Sequence, residues 1–189
     1  GTLPATSCAL TSTTPGAKSL TATYSGNTSV NGSVSASASH QVNQMATTTA
    51  IVSDTPDPSV VGQSYTVTYS IAVTPPGTGT PTGTVTVSDG SANCTGTLPA
   101  TSCQLPSNAP GTKSLIATYN GDANFSAGTS TTATHQVNKA ATAATIVSDT
   151  PDPSVVGQPY TVTYSVAVAA PGTGTPSGTV TVSDGTASC

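Results

Sequence analysis

The chain repeats itself at a fixed offset of 95 residues, and this period constrains its fold more than any other feature. When the 189-residue sequence is aligned with itself at that offset, 64 of the 94 aligned pairs are identical. Gly1–Cys8 recurs unchanged as Gly96–Cys103, and Pro56–Gln63 recurs as Pro151–Gln158. A period of this size corresponds to one small domain. We therefore expect a tandem array of domains, of which this chain is a window.

Few side chains are charged. Charged residues make up 5% of the chain, the formal net charge is −4, and neither Arg nor Glu occurs. Nucleic-acid binding depends on cations that neutralise phosphates, so we expect no nucleic-acid partner. The apolar runs are much shorter than the roughly 20 residues needed to cross a bilayer, so we expect no membrane span in this window.

Alternation of apolar and hydroxyl side chains predicts strands. In Tyr65–Val73 every second residue is large and apolar, and Tyr160–Val168 repeats the pattern. This spacing places one face of a strand against a core and the other toward water. Turn residues such as Thr55–Pro58 and Asp89–Gly90 separate the alternating segments. The sequence predicts an all-β chain built of β-sandwiches.

Three motifs resemble one family. They are Pro56–Gln63 before a predicted strand, Pro81–Val87 leading into a turn, and Leu115–Phe125. In this order they are similar to the bacterial immunoglobulin-like repeats (group 3 type) of large surface, secreted or filament-forming proteins. The resemblance implies tandem immunoglobulin-like sandwiches of about seven strands each, with a Greek key. It also implies spacers, stalks or filament material rather than enzymes.

The family pattern sets the phase of the repeat. Residues 44–138 are then one complete domain, residues 1–43 the C-terminal half of a preceding repeat, and residues 139–189 the N-terminal half of a following one. Half a sandwich of about 45 residues buries too little apolar surface to offset its conformational entropy. We therefore expect one complete domain flanked by two complementary half-domains, which bind their own kind head to tail.

The cysteines follow the same phase. Cys94 and Cys103 lie nine residues apart around the turn at Leu98–Pro99, a spacing at which a hairpin could bring them together for a disulfide. By the same offset, the partners of Cys8 and Cys189 belong to the adjoining repeat or subunit. Two arrangements remain open: a long continuous chain, or separate subunits in which Cys189 bridges Cys8 between molecules.

Disulfide-dependent β domains belong outside the reducing cytosol, which predicts an extracellular or cell-surface location. Four asparagines have the acceptor pattern for N-linked sugar, although such matches also arise by chance in a chain rich in Thr. They are Asn27, Asn31, Asn93 and Asn124.

No catalytic, cofactor or metal site is predicted. His40 and His135 share strand parity with apolar neighbours, which favours packing or hydrogen bonding, and we see no carboxylate or second histidine at ligand spacing around them. The acidic residues that flank prolines are expected to form turns, with a Ca²⁺ site at the domain junction as the alternative. These residues are Asp54, Asp57, Asp149 and Asp152.

Three classes of function are compatible with these features. The first is a structural rod or filament of serial domains. The second is an adhesin stalk or a module that binds surface glycans, cells or the cell wall, for which an exposed loop aromatic is needed and Phe125 is the candidate. The third is an accessory domain of an enzyme whose catalytic part lies elsewhere.

Overall fold

The computed structural model describes residues 1–189, and all its regular elements are strands. It contains no helix with the length and hydrophobicity needed to cross a membrane. The strands are β1 (Gly16–Leu20), β2 (Thr23–Tyr24), β3 (Ser33–Val34), β4 (Ala38–Val42), β5 (Thr47–Thr55), β6 (Ser59–Val60), β7 (Tyr65–Val73), β8 (Thr84–Ser88), β9 (Asn93–Thr97), β10 (Ser102–Leu105), β11 (Gly111–Tyr119), β12 (Gly128–Thr129), β13 (Ala133–Asn138), β14 (Thr142–Thr150) and β15 (Thr161–Val168).

Strands β5 to β13 form two sheets. One has the order β10-β7-β5, and the other has the order β6-β13-β11-β8-β9 with β12 paired to β11. The chain crosses between the sheets at Pro56–Pro58, because β5 pairs with β7 whereas β6 pairs in parallel with β13. Proline has no N–H to give to a ladder, so this segment suits a crossing between sheets better than the interior of one.

The core between these sheets contains the apolar side chains that the alternation predicts. Tyr65, Val67 and Tyr69 of β7 are buried, as are the inward residues of β8 and β11. Ten buried apolar side chains form one contiguous core cluster, of which half precede Cys94 in the sequence and half follow Gly96. The first half is Tyr65, Val67, Tyr69, Val85 and Val87, and the second is Leu105, Leu115, Ala117, Tyr119 and Phe125.

A disulfide joins Cys94 and Cys103, with 5.8 Å between their Cα atoms. The expectation that a hairpin places them opposite each other is wrong, because the two cysteines lie in different sheets. Cys94 is in β9, which pairs with β8, and Cys103 is in β10, which pairs with β7. The bond therefore connects edge strands of the two sheets and clamps one side of the sandwich.

The segments on either side form small separate sheets. Residues 1–43 contain the pairs β1-β4 and β2-β3, and residues 139–189 contain the pair β14-β15. No strand of one segment pairs with a strand of the other. Large apolar side chains are exposed in both segments, among them Leu20 and Tyr164. Neither segment encloses a core.

A short junction holds residues 139–189 against the sandwich. Only residues 139–141 separate β13 from β14. The backbone N–H of Thr173 donates to the carbonyl oxygen of Val61 at 3.1 Å. Gly62 has a φ of +89°, and a Cβ there would lie 2.6 Å from the Thr173 nitrogen, so only glycine fits this contact.

Candidate functional site

His135 is the centre of a buried polar network in the sandwich. Its Nδ1–H donates to Asp54 Oδ2 at 2.6 Å, and Asp57 Oδ1 lies 3.4 Å from the same nitrogen. On the other side of the ring, Nε2 shares a 2.7 Å hydrogen bond with the Ser59 hydroxyl. The Ser59 hydroxyl is also 2.7 Å from that of Ser107. Both nitrogens of the ring are therefore satisfied without water.

The crossing between the sheets creates this arrangement. Asp54 lies near the end of β5, Asp57 lies in the proline-rich crossing, and Ser59 begins β6. Because β6 pairs in parallel with β13, Ser59 comes to lie beside the strand that carries His135. The Gln136 backbone N–H donates to Asp57 Oδ1 at 2.9 Å and holds the crossing in place.

A stacked tyrosine extends the network into the core. The rings of Tyr65 and His135 are nearly parallel, with centroids 3.7 Å apart. The Tyr65 hydroxyl donates to Asp89 Oδ2 at 3.2 Å. Asp89 Oδ1 accepts the backbone N–H groups of Ser91 and Ala92, which closes the turn after β8. The network thus connects the β5–β6 crossing to the β8–β9 turn.

Two kinds of chemistry could be expected from such a group. Asp54, His135 and Ser59 have the order of a nucleophilic triad, but Ser59 and His135 are 0% exposed, and nothing in the fold leads a substrate to the hydroxyl. Ligand atoms of Asp54, Asp57 and His135 lie within 4.8 Å of one another. Each already has a protein partner, so the geometry is that of a structural hydrogen-bond network.

The sequence reasoning missed most of this network. The prediction of a packing or hydrogen-bonding role for His135 agrees with its position. No carboxylate lies at ligand spacing along the sequence, but the fold places two of them beside the ring. Asp54 and Asp57 reach it from 81 and 78 residues away in the sequence, a distance that no spacing rule bridges. No sequence pattern distinguishes Ser59, because Ser and Thr are abundant throughout the chain.

Two carboxyl groups in turns of the sandwich have lowered pKa values. Burial acts to raise the pKa of Asp89, but hydrogen bonds from Ala92, Ser91 and Tyr65 outweigh it, and the pKa lies below its usual value. At Asp122, the hydroxyl of Thr82 and three backbone N–H groups hold the pKa well below its usual value. Both carboxylates fix turns rather than facing an open cleft.

These shifts predict acid sensitivity of the sandwich. A carboxyl group whose folded pKa is depressed contributes stability above its unfolded pKa of about 4 and loses it as the pH falls through the folded pKa. We expect the urea midpoint to fall between pH 5 and pH 2.5, and Asp89→Asn to flatten part of that decline. A midpoint that is constant over this range would contradict the assignment.

Other predicted residues are placed as follows. Phe125 is 4% exposed and belongs to the core, so it is not the exposed loop aromatic that glycan binding was expected to need. Asn27, Asn31 and Asn93 are exposed, and Asn124 is half-buried. Cys8 and Cys189 are exposed free thiols. Their proposed partners and the glycosylation of the asparagines remain predictions.

Open apolar grooves lie in the flanking segments. A cavity of about 230 Å³ is bordered by Tyr160, Val182, Asp184 and Cys189. A second, of about 690 Å³, runs along Tyr164 and Val180. Residues 1–43 have one of about 380 Å³ beside Tyr24 and Val34. These grooves are the open faces of the β14-β15 and β2-β3 pairs and their adjoining loops.

Strands β5 to β13 thus form a sandwich of two sheets around an apolar core, with one crossing between the sheets. Residues 52–138 match the bacterial Ig-like domain, group 3. Comparison with curated proteins and with solved structures gave no match. Bacterial Ig-like domains commonly occur in surface proteins and are generally non-catalytic.

Proposed function

We propose that this is a structural, non-catalytic extracellular protein in which serial Ig-like repeats form a rod or filament. Each half-domain is completed by the adjoining repeat or subunit and is stapled to it by a disulfide. The observation that carries this proposal is the equal division of the core around residue 95. Residues 139–189 hold the counterparts of the first half of that core, and residues 1–43 hold the counterparts of the second half.

The correspondence at core positions is nearly complete. The five core residues that precede Cys94 have identical counterparts in residues 139–189, and four of the five that follow Gly96 have identical counterparts in residues 1–43. The exception is Phe125, where the counterpart is Val30. The counterparts are Tyr160, Val162, Tyr164, Val180 and Val182 in one segment, and Leu10, Leu20, Ala22, Tyr24 and Val30 in the other.

Exposure of these counterparts supports the need for a partner. Tyr65 is 1% exposed and its counterpart Tyr160 is 41% exposed, whereas Leu115 is 0% exposed and Leu20 is 38% exposed. Such faces on a soluble protein mark sites of association. If the two segments packed together, these counterparts would become buried and would make the same contacts that the core side chains make in the sandwich.

The strands that are broken or absent in the flanking segments are those whose pairing partner has its counterpart in the other segment. The nine-residue β11 pairs with β8 in the sandwich. Its counterpart in residues 1–43 is broken into β1 and β2, and the counterpart of β8, residues 179–183, forms no regular strand. These strands are incomplete where their hydrogen-bonding neighbour belongs to the other half, as expected if each half requires the other.

A rigid junction favours a rod over flexible beads. The contact between Val61 and Thr173 would recur between the carbonyl of Val156 in one half-domain and the N–H of Thr78 in the sandwich that follows. Val156 is fully exposed, and Thr78 borders a groove of about 530 Å³ beside Met45. Linkers as short as residues 139–141 leave little freedom between neighbouring domains.

Electron microscopy of the native assembly tests this function. The nine-residue strands are about 30 Å long, so we expect unbranched rods with an axial period of about 30 Å per domain. Isolated compact particles at all concentrations would contradict the proposal. Mass analysis under denaturing and reducing conditions separates the two forms of rod, because separate subunits give a species near 18.2 kDa and a continuous chain does not.

A further inference from the structure

The buried network of the sandwich is divided between the two flanking segments. Residues 1–43 carry the counterpart of the histidine, His40, and that of Ser107, Ser12. Residues 139–189 carry the counterparts of every acid and of the stacked tyrosine. These are Asp149, Asp152, Asp184 and Tyr160, and the same segment carries Ser154, the counterpart of Ser59. Neither segment can form the network alone.

In each segment, part of the network is already arranged as it is in the sandwich. The Tyr160 hydroxyl donates to Asp184 Oδ2 at 3.1 Å, as Tyr65 does to Asp89 at 3.2 Å, so the tyrosine is held in the same way without the histidine. His40 pairs in register with Lys18 on neighbouring strands, as His135 pairs with Lys113. Both His40 and Tyr160 are exposed.

Charge also distinguishes the two faces. Residues 1–43 contain one lysine and no acid, whereas residues 139–189 contain three aspartates and one lysine. In the sandwich, the positive charge of Lys113 helps to lower the pKa of Asp89. Lys18 and Asp184 are the corresponding pair across the two segments. The face of residues 1–43 therefore attracts the face of residues 139–189. Two copies of the same face do not attract each other, because such a pair lacks either the acids or the histidine.

We propose that residues 139–189 of one copy bind residues 1–43 of a second copy, and that insertion of His40 between Asp149 and Ser154, stacked on Tyr160, is the contact that selects this partner and fixes its register. The apolar face alone would tolerate a strand slipped by two residues. A slipped strand leaves the acids and the histidine buried without partners, which is costly. This inference rests on the proposed completion of half-domains and assigns its specificity to one network.

The test uses the full 189-residue chain with Cys8→Ser and Cys189→Ser, so that only non-covalent association is measured. Sedimentation velocity over a series of concentrations gives the association constant of this parent and of its variants. His40→Leu removes the histidine, and Ser39→Leu makes the same apolar change at the neighbouring position, whose counterpart Thr134 is exposed. Both positions lie outside the sandwich, whose folding is checked by circular dichroism.

We expect His40→Leu to weaken association about 100-fold and Ser39→Leu to change it less than about threefold. His40→Leu combined with Asp149→Leu should associate more tightly than His40→Leu alone, because the unpaired carboxylate is also removed. Equal effects of the two single substitutions, or strict additivity in the double variant, would overturn the role of the network while leaving the rod intact. A parent that remains monomeric would overturn the second copy as partner, and the microscopy would then judge the rod separately.

Discussion

His135→Leu should lower the free energy of unfolding of the sandwich by about 3 kcal/mol. Leucine fills part of the same space but leaves the Asp54 carboxylate, whose side chain is 14% exposed, without its imidazole partner, and it leaves the buried Ser59 hydroxyl with Ser107 alone. The stacking of Tyr65 on the imidazole is lost as well. Urea denaturation followed by near-ultraviolet circular dichroism of the tyrosines measures the change.

Thr134→Leu is the matched control. It makes the same apolar substitution on the adjacent residue of β13, where the side chain is exposed, and should change the free energy of unfolding by less than about 0.5 kcal/mol. If both variants unfold at the same urea concentration as the parent, the network adds no stability. In that case an apolar residue serves equally well at this position, as it does in some buried ion pairs.

The all-β class and the inward faces of the strands could be predicted from the sequence, because period-2 alternation directly determines which side chains meet the core. Tyr65, Val67 and Tyr69 are buried as that pattern requires. The repeat also aligns each core position with its counterpart. These signals are local or strictly periodic, so a single sequence is enough to find them.

The polar network could not be predicted, because it depends on the chain changing sheets at Pro56–Pro58. This crossing brings Asp54 and Ser59 to a strand about 80 residues later in the sequence. The same lack of long-range information explains the error at Cys94 and Cys103. Their spacing fits a hairpin, but the turn between them leads from one sheet to the other. The aromatic predicted to lie on a loop surface, Phe125, is drawn into the core beside Met45.

Replacing both Cys94 and Cys103 by serine should lower the free energy of unfolding of the sandwich by about 2.5 kcal/mol. The bond closes a loop of nine residues. In the chain-entropy model, its loss raises the conformational entropy of the unfolded chain and so lowers the free energy of unfolding by about that amount. The position of the bond adds a second consequence. Because it joins the edge strands β9 and β10 of opposite sheets, we expect its removal to increase amide hydrogen exchange first in these two strands.

Cys8→Ser combined with Cys189→Ser is the control for this prediction. These thiols are exposed and lie outside the sandwich, so the free energy of unfolding of the sandwich should stay that of the parent. Non-reducing electrophoresis of this control should instead show the loss of disulfide-linked oligomers, which the Cys94 and Cys103 variant should retain. If the sandwich lost less than about 1 kcal/mol without its own bond, the sheets would be held together by the core alone. The corresponding bond between half-domains would then lock an assembled rod against dissociation without contributing to the folding of its repeats.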